Sequence, residues 1–346
     1  MFDGAPLIVI AQALRALGFV LELAVPHDAP SFASPFFLVV IAFPIEMLGF
    51  FDLSRRTRGL ARGLARVLWV VPLLAVAAMI VGGYITGSGS FAQTTSRWVY
   101  AGDSLVGVIA LWTTARRGAA LAIGALVITL VVTVAPILEL GVIHAFVRAT
   151  GIAGELLLVV VPPVLSGVLA VFAGRAADPV PFDLVKTRRS LMRAPLPIAA
   201  LATMPILVLT GSDSTSVFAL VAILGCLLLV IPAFRIRARS RLAYVTIVLA
   251  VYAAGSIPMM AAVSSMYDDV AAFDVAILAA LGALLFAVAR RRYAIAFVVI
   301  AVLAIALHGR KISVMCELAA ELGAAFALVS TGGALRDAPT VADVFA

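Results

Sequence analysis

Charge is scarce in this sequence. Only 12% of its 346 residues are Asp, Glu, Lys or Arg, 64% are hydrophobic, and the mean hydropathy is +1.18. Soluble domains carry about 25% charged residues, so a water-soluble globular enzyme is excluded. Cysteine is scarcer still: Cys226 and Cys316 each lie inside an apolar run. A disulfide framework, a zinc site or an iron–sulfur cluster held by this chain alone is excluded with them. The three histidines, His27, His144 and His308, show no His-x-x-x-His or Glu-x-x-His spacing. Walker loops, nucleophile elbows and dinucleotide fingerprints are missing. Gly87-Ser88-Gly89-Ser90 is a flexible turn, because no helix start with Lys-Ser/Thr follows it. The stretches between apolar runs are too short to hold a soluble catalytic domain.

What the sequence has in quantity is apolar runs. About 20 such residues in helical form cross roughly 30 Å of hydrocarbon. That ruler gives candidate spans at 7–25, 35–53, 67–86, 98–114, 119–140, 155–173, 195–210, 217–234, 242–261, 273–289, 293–308 and 313–330. Unpaired amides are too costly in lipid for an open strand, and Leu121–Leu138 is apolar on every side, unlike an alternating barrel strand. The expected fold is an all-α polytopic integral membrane protein with about twelve transmembrane helices. Met1-Phe2-Asp3-Gly4 has no basic n-region, so the first apolar stretch is expected to stay as a membrane helix.

The basic residues then fix an orientation. Nineteen of the 25 Lys and Arg fall in the loops after spans 2, 4, 6, 8 and 10, and only Arg97, Arg148, Arg310 and Lys311 fall on the other side. This alternation is the positive-inside pattern, with both termini cytoplasmic if all twelve spans are real. It accounts for the net charge of +7 without nucleic acid as a partner. Most of these arginines would meet anionic lipid headgroups.

Ionisable groups at membrane depth cost roughly 2.5–3.5 kcal/mol each on insertion scales and are candidates for function. Arg15 and Glu22 share a face of span 1 but are too far apart to bridge, so each needs another partner, unless this helix lies amphipathic in the interface. Glu46 follows Pro44 by two residues; the proline removes an amide donor and can kink the helix and admit water. Proton handling and helix pairing are both open to it. Asp103, five residues into span 4, reads as shallow and solvated. Glu139 follows Pro136 near the outer end of span 5. Glu317 and Glu321, four apart, share one helical face. Two neighbouring carboxylates in a low dielectric cannot both ionise cheaply, as a proton relay requires; the alternative is that both end the helix at the outer surface.

Several short motifs share an order with a known family. Arg66-Val-Leu-Trp69-Val-Val-Pro72 and Ala101-Gly102-Asp103-Ser104-Leu105 are followed by Glu139, then by Arg175 and Pro181-Phe182-Asp183-Leu184, then by Phe234-Arg235-Ile-Arg237-Ala-Arg239-Ser-Arg241. This series resembles the eight-span, H-type membrane component of respiratory complex I and energy-converting (group 4) hydrogenases. Leu281-Gly282, Arg290-Arg291-Arg292 and Leu318-Ala-Ala-Glu321 resemble the three-helix, K-type membrane component of the same complexes. The chain departs from the family in its loop 54–66, in the Val185-Lys186-Thr187-Arg188-Arg189 run and in the apolar residues near Ala301–Val302.

The resemblance implies three regions: 1–30 as an additional N-terminal helix, 31–265 as H-like and 266–346 as K-like. It implies a membrane-arm subunit of a redox-driven proton or sodium translocating complex in a bacterial or archaeal-type cytoplasmic membrane. No cofactor would be bound by this chain; the iron–sulfur clusters would sit in peripheral partner subunits, with other membrane-arm subunits alongside and quinone a possible family ligand. Glu46, Asp103, Glu139, Glu317 and Glu321 would relay protons. Arg175, Asp183, Arg188, Arg189, Arg235 and Arg237 would contact the peripheral arm. The competing class is a stand-alone secondary transporter, for which the expected internal symmetry between 1–170 and 171–346 is not convincing.

Overall fold

The computed structural model describes residues 5–24, 35–86, 89–134, 142–180, 182–210, 215–262, 266–308 and 311–335. These residues are helical almost throughout, and none of them forms a strand. They fall into two compact units, one ending at Pro179 and the other beginning at Val180.

The first unit holds α1 (Pro6–Ala24), α2 (Pro35–Arg56), α3 (Gly59–Thr86), α4 (Gly89–Ala115), α5 (Ala119–Thr129), α6 (Val142–Thr150) and α7 (Ile152–Ala176). Helix α1 lies against both α2 and α7, and α4 packs on α3, α5 and α7. The core between them is rich in small side chains, including Ala5, Ala65, Ala110, Ala122, Ala125, Ala170 and Ala173 around Ile8, Phe50, Leu53, Leu111 and Leu169. Small residues let helix backbones approach closely, which is how helices gain contact where no water drives them together. Gly49 shows the limit of that approach. A Cβ there would sit 2.5 Å from Ile8 Cγ1 and 2.9 Å from the Ile8 amide nitrogen. Two ties lock the C-terminal part of α7. The Ala5 amide donates to the Ala170 carbonyl at 3.2 Å. Closer to the helix end, buried Arg56 donates to the carbonyls of Asp178 (2.7 Å) and Gly174 (3.2 Å), neutralising the negative end of the helix.

The second unit holds α8 (Leu184–Met192), α9 (Pro195–Leu201), α10 (Thr203–Thr210), α11 (Thr215–Ile236), α12 (Leu242–Ala262), α13 (Met266–Val288), α14 (Arg291–Ala306) and α15 (Lys311–Ala334). Helices α11, α12 and α13 pack in sequence, and α14 and α15 fold back so that α13 touches both. Two buried hydroxyls tie neighbours together: Thr246 donates to the Ala280 carbonyl at 3.2 Å, and Ser313 to that of Ala304 at 2.6 Å.

Every apolar run read from the sequence falls on helix, though 119–140 leaves the described residues after 134 and 195–210 breaks at Ala202 into α9 and α10. Helices α2 and α7 continue through Pro44 and through Pro162-Pro163 without leaving the helix. Helix α5 widens into a π-helix at Leu130–Val134, just before the segment carrying Pro136 and Glu139.

The outer faces are apolar. Leu157 and Val164 on α7, Leu220, Leu224 and Ile231 on α11, Val299 and Val302 on α14, and Leu322 and Phe326 on α15 are all exposed. Such faces would be unfavourable in water at about 25 cal/mol per Å² and cost nothing in hydrocarbon. Against the expectation of about twelve, three helices among the described residues combine the length and apolarity to cross a membrane: Phe37–Arg56, Ile152–Ala176 and Lys311–Ala334. Further apolar helical stretches, such as Leu220–Ile236 and Phe273–Val288, are shorter. At 1.5 Å per residue a stretch of 17 residues reaches about 25 Å, short of the full hydrocarbon thickness.

Candidate functional site

Besides the buried Asp52–Arg56 pair near the end of α2, two groups of ionisable side chains inside this apolar fold draw residues from different helices. In the first unit, α1 contributes Gln12 and Arg15 from one face, α2 contributes Glu46 and α4 contributes Asp103. Their exposures are 5%, 3%, 4% and 9%. Gln12 Nε2 donates to Glu46 Oε1 at 2.6 Å. The Arg15 guanidinium pairs directly with Glu46 Oε2 and lies 3.9 Å from Asp103 Oδ2. One guanidinium thus serves two buried carboxylates.

This geometry corrects one expectation. Asp103 is buried rather than shallow, because α4 begins at Gly89 and places it well inside the helix. The polar run Gln93-Thr94-Thr95-Ser96 hides that start. In helix α1, Ile8 and Ala11 are fully buried, and the partner Arg15 needs comes from α2 and α4. Gln12 escapes a reading of the sequence because an uncharged amide carries no signal of its own.

In the second unit, Asp274 on α13 and Glu317 and Glu321 on α15 come together. Half-buried Asp274 lies close enough to Glu317 for their carboxyl groups to interact. Glu321 lies within electrostatic reach of both. Glu317 and Glu321 are 5% and 1% exposed, so neither ends its helix at a surface. Glu321 Oε2 has no hydrogen-bond partner among the described residues, and none of the three carboxyls there forms an ion pair with a cation. Asp274 is easily passed over because it stands at the mouth of its apolar run, where a carboxylate usually meets water. No group of three or more His, Cys, Asp or Glu side chains among the described residues is arranged to hold a metal ion. Glu139 and the side chain of Glu22 lie outside the described residues.

The polar loop residues have mixed surroundings. Asp183 caps α8, accepting from the Lys186 amide at 2.9 Å and pairing with Lys186 Nζ at 2.7 Å. The Lys186 side chain beside it, followed by its backbone amide, holds the Asp183 carboxyl below the usual range. Arg175 and Arg189 are exposed, while Arg188 and Arg235 are half-buried. Arg237 is buried, donating to the Phe234 carbonyl with its guanidinium 3.7 Å from the Phe234 ring centroid. Arg239 stacks on Phe182 at 4.8 Å, joining two of the arginine-bearing loops of this unit. Comparison with protein-family models, curated proteins and solved structures gave no match.

Proposed function

We propose that this chain conducts protons as a polytopic membrane subunit, its arginine-rich loops on the cytoplasmic side and about twelve helices in the bilayer. The observation that carries the reading is the Asp274–Glu317–Glu321 group: three carboxyls brought together in an apolar bundle, with no cation paired to them among the described residues. A proton is the ion such a group binds without a coordination shell, and exchange between neighbouring carboxyls needs only small side-chain movement. The Arg15–Glu46–Asp103 group supports the same chemistry in the first unit, with Arg15 able to lean toward whichever carboxylate is ionised. The order of short motifs supports a place in a complex I-like or energy-converting hydrogenase-like assembly. There, electron transfer in peripheral iron–sulfur subunits would drive the proton, and exposed Arg175 is the cation placed to meet them.

The test is proton uptake by vesicles containing the assembly purified through a tag on this chain. Glu321→Gln and Glu317→Gln are each expected to lower driven uptake at least tenfold while leaving the chain folded; unchanged uptake in both would overturn the reading. A second reading, a stand-alone transporter, is favoured by the division into two compact units, each with its own buried ionisable group. Recovery of iron–sulfur partners with the tagged chain supports the first reading; recovery of the chain alone, still active in vesicles, supports the second.

A further inference from the structure

Helix α8, Arg193 and Leu335 line an open cavity of about 430 Å³ in the second unit. Arg188, Arg189 and Arg193 are interleaved there with apolar side chains. Leu184, Met192 and Leu335 supply apolar wall, and Val185 stands at the rim, 66% exposed. Among the described residues its lining contains no acidic side chain; the nearby Asp183 is already bound to Lys186. Arg188 Nε is buried with no hydrogen-bond partner among the described residues. Gly332 allows the end of α15 to close on α8, since a Cβ there would lie 3.0 Å from Met192 Cγ.

From this geometry we infer that the α8 cavity is a binding site for one anionic phospholipid, its phosphate on Arg188, Arg189 and Arg193 and its upper acyl chain on Leu184, Met192 and Leu335. The volume is in the range of small-molecule sites, and planar guanidinium groups match phosphate oxygens two at a time. A free inorganic anion would have no use for the apolar half of the wall. An acidic peptide would meet exposed Val185, Met192 and Leu196, which extend the apolar surface past the cavity mouth as a lipid-facing helix does. The phospholipid alone satisfies both halves, and the site stands independently of any proton pathway.

The experiment is native mass spectrometry of the full-length chain, titrated in detergent with phosphatidylglycerol, with phosphatidylcholine, or with inorganic phosphate. One phosphatidylglycerol should be retained in preference to phosphatidylcholine. Arg189→Gln combined with Arg193→Gln, both at exposed positions, should weaken retention about 25-fold, roughly fivefold per arginine. Arg291→Gln with Arg292→Gln, far along the chain and outside the cavity, should change it less than twofold. Val185→Asp, which leaves all three arginines in place, should weaken it as well. Equal retention of the two lipids, equal retention by the double variant, protection by inorganic phosphate alone, or an acidic partner subunit that binds the arginines undisturbed by the lipid would each overturn the assignment.

Discussion

Arg15 is the cation that Glu46 and Asp103 share, so its loss should cost more than the loss of either carboxylate. Arg15→Met leaves both carboxylates buried without it, and breaking such a pair costs about 3–5 kcal/mol. The triple change Arg15→Met with Glu46→Leu and Asp103→Leu fills the same space with apolar atoms and should recover most of that loss, read as thermal unfolding in detergent. Asp183 predicts a pH effect. Its carboxyl is lowered in the folded chain by the Lys186 side chain and amide. The cap is therefore fully present above the ordinary aspartate value near 3.9 and is lost as pH falls through the lower folded value. Amide exchange in the first turn of α8 should accelerate over that fall, and should already be several-fold faster at neutral pH in Asp183→Ala. Glu46 and Glu321 can be picked out of the sequence because a carboxylate in an apolar run has no innocent place to go. The pairing of Glu46 with Gln12 cannot: the two lie 34 residues apart, and nothing local couples them. Asp183 stands out in a family-like motif, yet in the structure its carboxylate is engaged as a helix cap.

Among the helices, the tightest constraint is the crossing of α1 and α2. Gly49→Leu should lower stability by about 1–3 kcal/mol, because the new side chain meets the Ile8 backbone rather than a movable side-chain tip. It should also pull Arg15 away from Glu46. Gly63→Ala, on α3 with nothing within 4 Å of the new methyl, should be neutral or slightly stabilising in the same measurement. Hydropathy and helix formation make the same demand on a lipid-bound chain, which is why the apolar runs mark the helices so well. Helices α6 and α8 are invisible to that reading because nine residues of mixed charge and apolarity, such as Leu184–Met192, look like a loop when read for apolar content alone. The break at Ala202 is equally hidden, since both halves of 195–210 are apolar.

For the whole molecule, the exposed leucine, valine and phenylalanine faces predict that the chain stays with the membrane pellet after alkaline carbonate washing; release into the supernatant would contradict its membrane character. Single cysteines placed beside Arg55, Arg117 or Arg291 in a chain lacking Cys226 and Cys316 should react with a membrane-impermeant maleimide only from the cytoplasmic face if the proposed orientation holds. The contact of Ala5 with Ala170, together with the seat of α1 between α2 and α7, also sets a timetable for biogenesis. Arg15 emerges from the ribosome before either of its carboxylates and well before the helix that closes over α1. The nascent chain therefore presents a cation before Glu46 on α2, and later Asp103 on α4, has been made to meet it.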